Sequence, residues 1–153
     1  MAAILSGRRP FGDNAGAGSG RIAGESVEYL VESSKSFSEV VFDLTPVVQR
    51  LGFVVFHHED LGESLRRHGG DYDEDSAVFL IGNYSLLEAL LSLAPVSCLA
   101  LPTRLAVFTR NGATWLGCQR PTAQLGEQLQ DVMVLRIAVE LEERLIQIIN
   151  ECR

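Results

Sequence analysis

The sequence predicts an α+β fold: about five strands in a mostly antiparallel or mixed sheet, with helices packed on one face and a long C-terminal helix. Three observations carry this reading. Strand-like and helix-like apolar patterns alternate along the chain in the order β-α-β-α-β-α-β-β-α. Two strand-like runs flank Asn111-Gly112, a pair preferred in tight two-residue hairpin turns, so at least one strand pair is antiparallel. The C-terminal segment carries a helical stripe, Val134, Ala138, Leu141, Leu145 and Ile148, at four-three-four-three spacing.

Each element has a local reason. SVEYLVES (26–33) alternates polar and apolar and reads as a strand. SFSEVVFDLTPVVQRLG (36–52) reads as a helix: Ser36 and Glu39 have capping-box spacing, Val40, Leu44, Val47, Val48 and Leu51 share a face, and Gly52 is a stop. Pro46 removes a backbone donor, which predicts a kinked or split helix. FVVFHH (53–58) is a strand, and DLGESLRRHG (60–69) a short helix with Asp60 and Glu63 at capping spacing. GDYDEDS is an acidic, solvated loop. AVFLIG (77–82) is a buried strand, and YSLLEALLSLA (84–94) a helix ended by Pro95. After the hairpin, one long helix is expected to start near Thr122 and run to the C-terminus. Glu140 and Arg144 on it have the favourable i,i+4 order.

Residues 1–24 are rich in Gly, Ala, Ser and Arg and read as a flexible tail before a single domain, 25–153. The chain has 153 residues, 46% of them hydrophobic and 22% charged, enough for one real core. Its net charge of −7 argues against nucleic acid and against an anionic membrane surface. No apolar run approaches a membrane span, and the N-terminus lacks a secretory core. Three cysteines, an odd count without CxxC, fit free thiols in a reducing compartment. A cytoplasmic protein is expected.

SFSEVVFDLTPVVQRLGFVVF, VFLIGNY leading into a helix, LALPTRLAVFTRNG, a late Pro and a closing helix resemble, in that order, the family known as domain of unknown function 302. The resemblance covers residues 27 to 150. It implies a compact α+β domain that forms a homodimer, and no established reaction. Family members often carry Cys-Asn-Pro after the apolar strand and Leu-Pro-Cys before the hairpin. This chain has Gly82-Asn83-Tyr84 and Leu101-Pro102-Thr103, so both family cysteines are missing.

Candidate chemistry is sparse. His57-His58-Glu59-Asp60 invites a metal or acid–base reading. On a regular strand His57 lies with Phe53 and Val55, and His58 with Val54 and Phe56, so the rings cannot grip one ion. The remaining histidine is His68, too few partners for zinc. The readings are strand-end polar residues, a cleft that His57 lines with Glu59, or a metal-binding regulator using His57 or His58, with no metal ligand set assigned. Cys98, in the apolar PVSCLALP, reads as a small buried hydrophobe or as the thiol of a sulfur-handling protein. Cys152, two residues from the end, is expected to be exposed. No nucleophile elbow, phosphate loop or dinucleotide fingerprint is present, GAGSG (16–20) reads as tail, and no cofactor is indicated.

The hairpin supplies the most specific surface. A two-residue turn sets Arg110 opposite Ala113, so Thr109/Thr114, Val107/Leu116 and Leu105/Cys118 share one face, assigned to the core. Phe108/Trp115, Ala106/Gly117 and Arg104/Gln119 share the other. Two rings, then a gap, then a guanidinium beside an amide suggest a ligand or partner face: Arg104, Phe108, Trp115 and Gln119, with Asn83. Arg104 could clamp a small anionic ligand. Trp115 could equally anchor a second subunit. The expected function is a non-enzymatic, homodimeric ligand-binding or interaction protein.

Overall fold

The computed structural model describes residues 26–153. The expected tail, 1–24, with its GAGSG run, lies outside the described residues. Strands β1 (Glu28–Ser33), β2 (Val54–Asp60), β3 (Ser76–Gly82), β4 (Thr103–Arg110) and β5 (Ala113–Gln119) form one sheet in the order β1-β5-β4-β3-β2. Every neighbouring pair is antiparallel. Helices are α1 (Phe37–Arg50), α2 (Leu61–Arg67), α3 (Tyr84–Leu93), α4 (Pro121–Gln124) and α5 (Val132–Cys152), with 3-10 turns at Pro95–Leu99 and Gly126–Gln130.

The caps read from sequence form. Ser36 and Glu39 make a reciprocal capping box on α1, and Asp60 accepts from the Glu63 amide at the start of α2. In the hairpin, Asn111 (φ 53) and Gly112 (φ 79) both adopt the left-handed conformation that a type I′ turn needs. Arg110 accordingly pairs with Ala113.

One face of the sheet is the core. Ala77, Phe79, Ile81, Leu105, Val107 and Leu116 are buried there, against Val40, Leu44 and Val48 of α1, Leu86 and Leu90 of α3 and the α5 stripe. All five stripe residues, from Val134 to Ile148, are at most 3% exposed.

Four expectations are corrected. Helix α1 runs unbroken through Pro46. That residue is exposed, so the missing hydrogen bond falls on the solvent side, where water can replace it. The C-terminal segment is not one helix: the chain breaks at Gly126 (φ 51) and α5 starts at Val132, capped by Asp131. A continuous helix would hold Thr122 and Glu142 about 30 Å apart, whereas the Thr122 hydroxyl donates to Glu142 Oε1 at 2.7 Å. The acidic loop is tied down as well as solvated. Thr109 Oγ1 donates to Glu74, the Asp75 amide donates to Thr109 Oγ1, and Arg66 donates to the Tyr72 and Glu74 carbonyls.

The fourth correction concerns β2. A bulge between Val55 and His57 shifts its register, and a bulge reverses the alternation beyond it. Val55 and His58 therefore share the core face, opposite Ile81 and Phe79, while His57 sits opposite Leu80 on the other face.

Candidate functional site

Among the described residues, the second face of the sheet carries no helix across its centre, and its residues follow from the strand registers. Glu28, Gln119, Arg104, Leu80 and His57 form one row across β1, β5, β4, β3 and β2. Leu30, Gly117, Ala106, Val78 and Glu59 form the next, and Glu32, Trp115, Phe108 and Ser76 the third. The middle row is apolar from Leu30 to Val78 and small at Gly117 and Ala106, bordered by two rings on one side and a mixed polar row on the other. Leu30, Val78, Leu80, Ala106, Phe108 and Trp115 are all partly exposed. An antiparallel sheet that faces water normally alternates to polar side chains on that side. This one does not.

The structure brings Arg104, Phe108 and Gln119 together around a groove of about 470 Å³. Its floor is Ala106 and Gly117, and the segment Leu99–Pro102, with a cis Leu101–Pro102 peptide, forms a wall. Leu99 is 89% exposed. The gap expected at Gly117 is not empty. A Cβ there would lie 2.4 Å from the Tyr29 carbonyl oxygen and 2.9 Å from Leu30 Cα, so glycine lets β1 close against β5 and Leu30 cover the position. Gly117 and Ala106 both line the groove, between Phe108 and Arg104.

Arg104 is exposed and has no ion-pair partner within 4.0 Å among the described residues. Gln119 Oε1 accepts from Gln124 Nε2 at 2.6 Å. With that oxygen engaged, the Gln119 amide nitrogen is the group left for another partner. Trp115 stands in the third row, outside the groove, with the Arg110 guanidinium 5.2 Å above its ring. Its indole Nε1 is shielded from solvent and lacks a hydrogen-bond partner.

Asn83 falls elsewhere. Its Oδ1 caps α3 by accepting from the Leu86 amide at 3.1 Å, and its Nδ2 donates to the Gly52 carbonyl at 2.9 Å. Both ends of the amide hold the β3–α3 turn against the end of α1. His57 and Glu59 do come together, Nε2 to Oε2 at 3.3 Å, on the exposed edge strand. His58 stacks flat on Phe79, centroids 4.1 Å apart, so the two rings lie on opposite faces, as strand alternation requires, with the bulge exchanging which face each takes. Among the described residues no three His, Cys, Asp or Glu gather in a way that could hold a metal ion.

The thiols reverse two expectations. Cys98 is exposed, because the 3-10 turn directs Ser97 inward in its place, and Cys152 is fully buried on the inner side of α5. Burial pushes the Cys118 thiol up to about 12, with the nearby Glu142 carboxylate adding to the shift, and pushes Cys152 up to about 11. A further pair escaped the sequence reading. Glu142, 9% exposed, accepts from Arg120 Nη2 at 3.1 Å as well as from Thr122. It binds the segment after β5 to α5, and only the fold brings these positions together.

Residues 29–152 match the family described as "Domain of unknown function DUF302". Among solved structures, the chain is similar to the crystal structure of an uncharacterised conserved DUF302 protein from Bacillus stearothermophilus. The identity is 26%, over 84% of this chain and 100% of that chain, with a TM-score of 0.78. No match was found among curated proteins.

Proposed function

The chain belongs to the DUF302 family, and we propose that it is a non-enzymatic binding domain whose two copies meet through the helix-free sheet face. The observation that carries this reading is the apolar band on that face, Leu30, Gly117, Ala106 and Val78, flanked by Phe108 and Trp115 and covered by no helix among the described residues. Partly buried aromatic rings beside small residues form the sort of surface on which a partner's side chains find anchors. The charges suit a second copy in particular. This face carries Glu28 and Glu32 on β1 and Arg104 and Arg110 on β4, on either side of β5. A two-fold axis through β5 would set the acids of one copy toward the bases of the other, as an isologous interface requires.

What this face offers is shape and fixed charge, which is recognition rather than bond-making. The net charge of −7 disfavours nucleic acid as the partner. We place the protein in the cytoplasm, where all three cysteines would stay free, as they are here. Among the described residues no helix is long and apolar enough to cross a membrane. The test is the molecular mass of wild type and Trp115→Ala by light scattering across a dilution series. A central aromatic anchor is worth about 2 kcal/mol or more, roughly a thirty-fold weaker dimer. A variant that dissociates no sooner than wild type would remove Trp115 from the interface.

A further inference from the structure

The groove at the polar row of the same face is a site in its own right, and we infer that it takes a small hydrophobic monocarboxylate. This rests on the binding-domain reading but not on the dimer. Three features converge. The space is about 470 Å³, within the range of small-molecule sites. Its lining includes Ala106 and Gly117, and Leu99 stands beside it at 89% exposure, an apolar side chain that a hydrophobic occupant would cover. Just beyond the last paired residues of β4 and β5, Leu105 and Cys118, Arg104 and Gln119 stand on neighbouring strands and both line the groove, with strands about 5 Å apart.

That last pairing selects the ligand's head group. Arg104 has no carboxylate of its own within 4.0 Å among the described residues. A guanidinium meets a carboxylate with two parallel hydrogen bonds. Gln124 engages the Gln119 oxygen, which leaves Gln119 a donor at the adjacent position. Two donors side by side fit an acceptor-only group. The remaining charge on the rim, Glu28, is one strand beyond Gln119, so about 10 Å separates it from Arg104 across two strand spacings. It disfavours a second anionic group and so argues for a monoanion with an apolar body over a dicarboxylate or a nucleotide.

The test is calorimetric titration of the full chain with octanoate, octylamine and succinate, with Trp115 fluorescence as a second readout. Octanoate should bind saturably at one site per chain, and the amine and the diacid at least tenfold more weakly. Arg104→Gln should lower octanoate affinity at least tenfold, about 1.4 kcal/mol, with unchanged circular dichroism. Arg104→Lys should recover part of the loss. Equal binding of octanoate and octylamine, no saturable octanoate binding, or undiminished binding by Arg104→Gln would overturn the assignment. Octanoate bound by a monomeric wild type would uphold it while removing the dimer reading, and a dimer that ignores octanoate would do the reverse.

Discussion

The two faces of the sheet are built from the same strands and obey different rules. On one, Phe79, Ile81, Leu105, Val107 and Leu116 are at most 1% exposed under α1, α3 and α5. On the other, their immediate neighbours Leu80, Ala106, Phe108 and Trp115 stay partly exposed. Strand alternation places both sets from one hydrophobic pattern, yet only the first has a cover. The first set therefore accounts for the fold, and the second is free to account for binding.

The largest expected effect falls on the covered side. Leu141 is 3% exposed within the α5 stripe, and Leu141→Ala should cost about 2–5 kcal/mol by denaturant titration. Trp115→Ala, on the open side, should cost the isolated chain clearly less. If the two costs were equal, the faces would not differ in the way described.

Next comes the Glu142 link. Glu142→Gln replaces a carboxylate that accepts from Arg120 Nη2 and from Thr122 with a neutral amide, in a site where the Arg120 and Glu142 side chains are 17% and 11% exposed. The expected loss is about 1–3 kcal/mol, visible as a lower Tm, with no change in molecular mass because the pair lies away from the open face.

The thiols give a pH-dependent check on the covered side. Cys118 and Cys152 keep their protons to about 12 and about 11, above the ordinary value of 9.0. A raised folded-state pKa means that the unfolded chain releases its proton first. The stabilising contribution is then complete below pH 9 and declines as pH rises toward 11 and 12. Tm should fall across that window, and replacing both buried thiols by alanine should flatten the added slope. At pH 8, alkylation of the native protein should modify Cys98 alone, and mass spectrometry after unfolding should count three. Early native labelling of Cys152 would place it outside the core.

The smallest effect is at the surface. Glu140 and Arg144 form an exposed i,i+4 pair at 2.8 Å, and Glu140→Ala should change stability by less than about 0.5 kcal/mol.

Much of this architecture was legible in the sequence because its causes are local. Asn111-Gly112 sets the hairpin and its register, so the division of β4 and β5 into two faces could be read directly. Ser36, Asp60 and the α5 stripe declared their elements in the same way. What could not be read depends on contacts distant in sequence. The pairing of β1 with β5, which brings Leu30 over Gly117, is non-local, so the part of the groove that Glu28, Tyr29 and Leu30 line could not be read from the hairpin. The bulge before His57 reverses a face without changing composition. The break at Gly126 is stabilised by Thr122 reaching Glu142, twenty positions along the chain by their numbering. Asn83 drew attention as the residue that matches the middle of the family's Cys-Asn-Pro, and its amide caps α3 and holds the Gly52 carbonyl, which depends on how α1 packs.

The most direct measurement of the central claim is sedimentation equilibrium of wild type, Ala106→Glu and Val139→Ser. Ala106 lies at the centre of the open face. Val139 is 38% exposed on α5, beside the likewise exposed Leu135 and Val132, and represents the competing apolar surface. The account predicts a dimeric wild type, a folded monomer for Ala106→Glu, and an undisturbed dimer for Val139→Ser. A wild type that stays monomeric at every concentration, or a dimer that survives Ala106→Glu and dissociates with Val139→Ser, would contradict it.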